Sequence, residues 1–296
     1  MKFAGTYEEF KKDKPLGIRG NLRDIALDVL SFFDRMQNTE FFLRKPRVQF
    51  LFIHHAFKDE EHKLDALLKK LSRHHTFISY SEAVTKILEN DIDKPYISVS
   101  SDDGLKNNLG AAEILNNYGV NVCFFINPGI MENLSFSDNE KYCRSRLYSL
   151  PVEFMDWHDI ERLQKWGHEI GSHTMDHMNV ADAETAYFAE DCKKTFEILK
   201  DKCGGVKHFA FPYGRFKNFN EKAAEVVFNT GFISCSTAER GCHVNGVRVL
   251  AKEELCILRN HLILDWDIDH IFHHIINNSK NARFNNNFYP FRKINV

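Results

Sequence analysis

Short apolar runs alternate with amphipathic stretches over most of this sequence. The longer runs hold five to seven residues, rich in Val, Ile and Phe as buried strands are; they lie at 48–53, 95–101, 120–126, 206–211 and 232–236. Shorter runs lie at 76–79, 169–171 and 256–258. Between the runs, apolar residues recur every three or four positions, which predicts helices that pack on a sheet. The pattern therefore predicts an α/β fold with a parallel, largely buried sheet.

The alternation continues without a linker-like break from residue 46 to 276, which predicts one barrel-like domain. Residues 1–45 form an N-terminal extension with one predicted amphipathic helix, from Leu22 to about Gln37. Residues 277–296 form an Asn- and Phe-rich C-terminal tail. Residues 132–150 are polar and irregular, and we expect them to form an insertion over one face of the domain.

Composition narrows the class of protein. The 296 residues are 43% hydrophobic and carry a formal net charge of −2, so whole-chain electrostatics give no support to nucleic-acid binding. No apolar run approaches the roughly 18 residues that span a bilayer, and no secretory signal pattern is present. The seven cysteines form neither a CxxC pair nor a regular framework. We expect a reduced, cytoplasmic protein whose oligomeric state the sequence does not indicate.

Two histidines follow the short predicted strand that ends at Gly171. His173 and His177 are four residues apart, and on one turn of helix this spacing places both imidazoles on the same side. Two neutral imidazoles can bind one divalent cation such as zinc. Because the chain has 15 histidines, such a pair also arises by accident, and alone it does not establish a metal site.

An acidic doublet, Asp102-Asp103-Gly104, follows the predicted strand at 95–101. An Asp-Gly pair is common in turns, so an ordinary exposed turn would also explain it. At the carboxyl end of a strand, where α/β folds place their chemistry, the two acids can instead divide their roles. One carboxylate would bind the cation while the other acts as general base on water.

Together these segments resemble the NodB-type polysaccharide deacetylases, carbohydrate esterase family 4. Three motifs occur in the family's order and spacing: Asp102-Asp103-Gly104, His173-x-x-x-His177 and Phe211-Pro212-Tyr213-Gly214. The segment Phe52-Ile53-His54-His55 is similar to the family's opening strand, although both histidines there could simply cap a strand. The resemblance covers about residues 48–275 and implies a distorted (β/α)7-type barrel.

The resemblance implies a role for each matched residue. It implies that Asp103, His173 and His177 bind one divalent metal ion, with zinc favoured over cobalt, nickel or iron. It implies that Asp102 activates water as the base and that the Tyr213 backbone N–H stabilises the oxyanion. The implied substrate is a carbohydrate or sugar conjugate, which loses an N-acetyl group. The residues that we predict to contact this substrate are His55, Pro212 and Arg259.

The sequence departs from the family pattern in several places. Ala210 stands where many members have an arginine that orients the base. The exopolysaccharide deacetylase branch often has alanine at this position too. Arg215 or Arg259 could compensate for the missing arginine. The fourth motif is not recognisable in 232–250. The segment 258–261 is a possible fifth motif, in which His261 is either the general acid or a structural residue.

Three functions remain open from the sequence. The first is a cytoplasmic, metal-dependent N-deacetylase acting on a nucleotide- or lipid-linked sugar. The second is a deformylase or another non-peptide amide hydrolase with the same machinery. The third is a catalytically impaired, sugar-binding relative. A receiver-type Mg²⁺ site is disfavoured because oxygen ligands suit that ion and the histidine pair does not.

Overall fold

The computed structural model describes residues 2–12, 18–37, 39–131 and 135–291. Within these residues, every pair of adjacent strands in the main sheet is parallel. The strands are β1 (Arg47–Ile53), β2 (Thr76–Phe77), β3 (Pro95–Ser101), β4 (Val122–Ile126), β5 (Glu169–Ser172), β6 (His208–Ala210), β7 (Ser234–Ser236), β8 (Cys256–Ile257) and β9 (Arg259–His261).

The sheet curls into a nearly closed barrel. Its order is β8-β7-β6-β5-β4-β3-β1-β9, with β2 paired to β3 outside this ring. The two end strands, β8 and β9, are separated only by Leu258. Since β8 pairs with β7 and β9 pairs with β1, one interrupted strand joins the two edges of the sheet. Because β8 and β9 together occupy one position, the eight parallel strands fill seven positions around the barrel. This confirms the predicted α/β barrel.

Helices surround the barrel because each strand alternates its side chains between two apolar layers. In β1, Leu51 and Ile53 belong to the outer core with Leu64 of a covering helix, whereas Phe50 belongs to the inner core with Tyr80. The helices are α1 (Tyr7–Lys11), α2 (Ile18–Met36), α3 (Glu40–Leu43), α4 (Glu61–Leu71), α5 (Tyr80–Leu88), α6 (Asn108–Asn117), α7 (Phe136–Tyr142), α8 (Trp157–Lys165), α9 (Thr185–Cys203), α10 (Glu221–Thr230) and α11 (Ile268–Lys280).

The predicted insertion at 132–150 has more regular structure than its polarity indicated. Within its described part, α7 continues into a π-helical turn, Cys143–Leu147, that ends at Tyr148. Cys143 is buried against Leu105 and Val152, so the segment is fixed to the domain.

Across the described helices, none combines the length and apolarity that crossing a membrane requires.

The predicted amphipathic helix in the N-terminal extension is confirmed as α2, but its apolar side faces outward. Ile25 is 60% exposed and Phe33 is 49% exposed. The inward side is polar: Asp34 is buried and accepts hydrogen bonds from Lys280 Nζ at 2.9 Å and His273 Nδ1 at 2.6 Å, both on α11. These polar pairs hold the helix by the face opposite its apolar stripe.

The chain remains packed beyond the predicted boundary at 277. Helix α11 ends at Lys280, and Tyr289 is buried, with its hydroxyl donating to the carbonyl of Cys235 at 3.1 Å. Residues 292–296 lie outside the described residues. The division into an extension, a deacetylase domain and a tail stays a prediction.

The contact between Tyr289 and β7 predicts that residues after α11 contribute to global stability. Tyr289→Ala should lower the free energy of unfolding by about 3–5 kcal/mol, because it removes a buried aromatic side chain. Tyr289→Phe keeps the ring and should cost only about 1 kcal/mol, the value of one hydrogen bond. Urea denaturation of both variants measures the difference; equal, negligible losses would contradict the packing described here.

Candidate functional site

A pocket of about 360 Å³ opens at the carboxyl ends of the barrel strands. The loops after β1, β3, β5, β6 and β9 all contribute to its wall, because parallel strands deliver their ends to one rim. The residues predicted from the sequence that line it are His55, Asp102, Asp103, His173, His177, Tyr213 and His261. The structure thus brings together seven of the nine predicted site residues.

The acidic doublet sends its two carboxylates in different directions. The Asp102 backbone N–H donates to the carbonyl of Ile53 at 3.1 Å, which extends the β3–β1 pairing by one step. Asp103 and Gly104 then both adopt left-handed backbone angles, with φ of 72° and 66°. The resulting turn points Asp102 towards the buried Arg259, while Asp103 faces the two histidines.

Asp103, His173 and His177 form a compact set of metal-ligand atoms. Oδ1 of Asp103 lies 3.4 Å from Nε2 of His173 and 3.3 Å from Nε2 of His177. All three side chains are buried, and among the described residues this Oδ1 has no hydrogen-bond partner. One carboxylate and two imidazoles are a ligand set that suits zinc and similar divalent ions. The residues present therefore fit the metal that the resemblance implies.

The two histidines differ in protonation. Burial lowers the pKa of His173, but its contact with Asp103 and the charge of Asp102 outweigh burial and raise this pKa, so a bound cation would displace a proton from His173. Nδ1 of His173 lies 2.7 Å from the carbonyl of Ala210, and donation to that oxygen leaves Nε2 free as a ligand. Burial lowers the pKa of His177 to about 4, so this imidazole is neutral at pH 7. For Asp103, burial raises the pKa, but contacts with the histidines outweigh it and keep the carboxyl ionised. Ionised carboxylate and neutral imidazole are the forms that bind metal.

The histidine pair does not lie on a helix, so that prediction is wrong. Residues 174–176 form a turn, and Thr174 and His177 have positive φ angles of 64° and 52°. Neighbouring segments hold this turn in place: Asn127 Nδ2 donates to the carbonyls of His173 and Thr174, and the Met175 N–H donates to Asp191 Oδ1 at 3.2 Å. Tertiary hydrogen bonds, not helix geometry, bring the two imidazoles together.

The buried guanidinium of Arg259, inside the barrel, forms hydrogen bonds with the Asp102 carboxylate. Arg259 Nη1 and Nη2 donate to Asp102 Oδ1 and Oδ2 at 2.7 and 2.8 Å. Arg259 Nε donates to the carbonyl of Thr237 at 2.9 Å, and Nη1 lies 3.2 Å from Ser100 Oγ. Burial raises the pKa of Asp102, but the Arg259 charge and hydrogen bonds outweigh that effect, and the net pKa is lowered.

The position of Arg259 contradicts its predicted contact with substrate and bears on which arginine could compensate for Ala210. Arg259 is completely buried beneath Asp102 and is not part of the pocket wall, so its predicted contact with substrate is wrong. Its two hydrogen bonds fix the orientation of Asp102, so Arg259 is placed to compensate for the arginine that Ala210 replaces. Arg215 does not take that role, because its guanidinium pairs with Glu239 at 3.1 Å near the surface.

The third motif forms a tight turn beside His177. Tyr213 has a φ of 64°, its ring centre lies 4.8 Å from that of His177, and its hydroxyl donates to the Arg146 carbonyl at 3.2 Å. No acceptor for the Tyr213 backbone N–H is found among the described residues. A Cβ on Gly214 would meet the Ala238 backbone nitrogen at 2.6 Å, so the turn requires glycine. Pro212 is buried outside the pocket wall, which contradicts its predicted contact with substrate.

His261 lies in the pocket with an unexpected partner, His54. Their Nε2 and Nδ1 atoms are 2.9 Å apart, and Nε2 of His54 lies 4.0 Å from Asp103 Oδ2. His261 stacks on Phe52, and burial lowers its pKa well below the ordinary value. The sequence singled out His55 of the His54-His55 pair as a site residue. Both histidines line the pocket. His54 could have been predicted as a site residue because it directly follows β1, at the carboxyl end of a strand.

The N-terminal extension contributes to the pocket, which the sequence did not indicate. Tyr7 and Phe10 line one wall, and the Phe10 ring lies 4.3 Å from the ring of His55. His55 itself stacks on Phe57 with ring centres 5.3 Å apart. The contact depends on an aromatic cluster between segments distant in sequence, for which a single sequence carries no signal.

Backbone strain is concentrated around this pocket. Among the described non-glycine residues, those with positive φ are Asn90, Asp103, Tyr148, Thr174, His177 and Tyr213. All except Asn90 lie in segments that form the pocket. Such angles cost free energy and persist only where surrounding contacts impose them, which is typical of functional sites.

Glu60, on the pocket wall, gives a pH-dependent prediction. It is 2% exposed, and burial is the main cause that raises its pKa from 4.5 to about 7. A raised carboxyl pKa contributes stability below pH 4.5 that is lost as the pH rises through 7. Glu60→Gln should therefore raise the melting temperature, relative to the parent protein, by more at pH 8 than at pH 5. The exposed Glu190→Gln serves as the control, and an equal gain for Glu60→Gln at both pH values would contradict the assignment.

Comparison with known proteins is consistent with this architecture. Residues 89–232 match the family model described as polysaccharide deacetylase, whereas a search of curated proteins finds no match. The Streptococcus pyogenes deacetylase PplD, solved in complex with acetate, is 15% identical and aligns over 78% of this chain and 99% of its own, with a TM-score of 0.62. IcaB from Ammonifex degensii is 19% identical over 78% of this chain and 98% of its own, with a TM-score of 0.60.

At these identities the solved structures show a shared fold, and the family model identifies the sequence. The resemblance predicted from the three motifs is confirmed. Residues 89–232, which contain the three motifs, thus match the polysaccharide deacetylase family of hydrolases, and the barrel that contains them shares its fold with solved deacetylases.

Proposed function

We propose that this protein is a metal-dependent hydrolase that removes an N-acetyl group from an amino sugar. One observation supports this most strongly: the Asp103, His173 and His177 ligand set lies beside Asp102, which a buried arginine orients. The family match supports deacetylation in general. The metal, the base and the sugar are parts of the proposal.

The chain's own residues supply the metal ligands, the base and the oxyanion donor around the scissile amide. A divalent ion held by Asp103, His173 and His177 would supply Lewis acidity and lower the pKa of water. Asp102 takes a proton from the attacking water, because Arg259 keeps it ionised and fixes its orientation. The Tyr213 backbone N–H, which has no acceptor among the described residues, donates to the oxygen that becomes negatively charged.

Departure of the amine requires a proton donor. His261 lines the pocket and contacts His54, so this pair is placed to give its shared ring proton to the leaving nitrogen and to recover a proton from solvent water. Products are acetate and a free amine, with one water consumed. We further propose that the reaction takes place in the cytoplasm, where reduced thiols such as the described cysteines of this chain are usual.

Activity and metal content of two aspartate variants test the proposal. The zinc-loaded protein should release acetate from an N-acetyl amino sugar. Asp102→Asn should reduce kcat by about 10²–10⁴ because it removes the general base, while metal content by mass spectrometry stays at one per chain. Asp103→Asn should lose the metal and the activity together. Release of formate from an N-formyl sugar in place of acetate would reassign the acyl group, and loss of metal in Asp102→Asn would contradict the separate roles.

A conservative change at Arg259 tests its role beneath the base. Arg259→Lys keeps the charge but cannot make two parallel hydrogen bonds to one carboxylate. We expect kcat to fall by about 10–100-fold, the usual effect of disturbing a residue that orients a site group, with little change in KM. Arg248→Lys alters a similar bidentate pair with Glu254 outside the pocket and should leave kcat unchanged. A raised KM with normal kcat would indicate that Arg259 contacts substrate after all.

A further inference from the structure

A second depression, here called the basic cleft, adjoins the pocket. Its volume is about 710 Å³, and it shares Arg146, Tyr148 and Tyr213 with the pocket wall. The cleft runs from this shared rim over the segment that follows the third motif, including Arg215 and Lys217. A group attached to a sugar in the pocket therefore has a continuous surface along which to extend.

Cations from two segments line the basic cleft. Arg146 comes from the turn after α7, and Arg215 and Lys217 follow Gly214; all three are exposed. Neither Arg146 nor Lys217 has a carboxylate partner among the described residues. Arg215 forms an ion pair with Glu239 through one of its guanidinium nitrogens, Nη1. Asp182 is the only acid among the described residues that line the cleft. The cleft is therefore positive although the chain has a net charge of −2.

Two tyrosines at the rim add flat surface beside these charges. Tyr148 and Tyr187 are each 62% exposed. Tyr148 has a φ of 51° and its ring centre lies 6.3 Å from that of Tyr213. A strained backbone that keeps an aromatic ring at the junction of two depressions is consistent with ligand contact. Rings beside guanidinium groups suit a ligand with both a flat face and an acidic group.

We propose that the substrate carries an acidic substituent, a phosphate ester or a carboxylate, next to its N-acetyl sugar, and that the basic cleft binds it. The inference rests on the proposed function, which places the sugar in the pocket. Arg146 and Lys217 bind the acid, because neither has a carboxylate partner among the described residues. Arg146 lies at the rim shared with the pocket, and Lys217 lines the cleft beyond it. A neutral polymer would leave these cations unpaired and would gain nothing from their clustering.

Binding separates this inference from the proposed reaction. Zinc-loaded Asp102→Asn protein is titrated with N-acetylglucosamine 1-phosphate, with a disaccharide of N-acetylglucosamine and a uronic acid, and with neutral methyl N-acetylglucosaminide. At least one acidic ligand should bind ten times more tightly than the neutral one, and the advantage should shrink between 50 and 300 mM NaCl. The acidic ligand that binds more tightly identifies phosphate or carboxylate as the natural group. Equal affinity for all three ligands would overturn the inference.

A double variant shows whether the cleft is responsible. Arg146→Gln combined with Lys217→Gln should lower the ratio of acidic to neutral affinity at least fivefold, and Lys200→Gln, an exposed lysine on α9, should leave it unchanged. A ratio that survives the double variant would also overturn the inference. In the active protein, turnover of the three ligands is measured in parallel. Binding preference without any acyl release would refute the proposed reaction while supporting the acidic subsite.

Discussion

The site depends on one buried ion pair. Arg259 cannot lose its proton inside the barrel, so its charge must be balanced there, and Asp102 balances it with both carboxylate oxygens. Removing one partner of such a pair leaves an uncompensated charge, at a cost of about 3–5 kcal/mol. Thr237 and Ser100 complete the hydrogen bonding of the guanidinium. The pair fixes the orientation of Asp102, while the left-handed turn at Asp103 directs the adjacent carboxylate to the histidines.

Strand ends and strained turns then complete the pocket. The parallel barrel brings the ends of β1, β3, β5, β6 and β9 to one rim, and left-handed residues at Asp103, His177 and Tyr213 turn the chain sharply there. These angles are held by contacts from other elements, such as Asn127 to the histidine turn. The stability of the barrel core thus supports a rim whose local geometry is unfavourable on its own.

The sequence was sufficient to predict the elements and the ligand-like residues but not the contacts between distant segments. The β3 strand and the helices between the strands follow from local patterns, and the structure has both. The four-residue spacing of His173 and His177 correctly indicated proximity, for the wrong reason, since hydrogen bonds from other elements form the turn. The pairing of Arg259 with Asp102 joins residues 157 positions apart, and a single sequence carries no signal that ranks it above Arg215. The outward apolar side of α2 was likewise hidden, because periodicity shows a stripe but not which face is covered.

The proposed function requires one cation bound by Asp103, His173 and His177, with Asp102 beside it but paired with Arg259. The most direct test is a zinc-loaded crystal measured above and below the zinc absorption edge. We predict a single anomalous peak within coordination distance of Nε2 of both histidines and of one Asp103 oxygen, with Asp102 still paired to Arg259. A peak elsewhere, or a peak coordinated by Asp102 with its hydrogen bonds to Arg259 broken, would contradict the proposed roles of these residues.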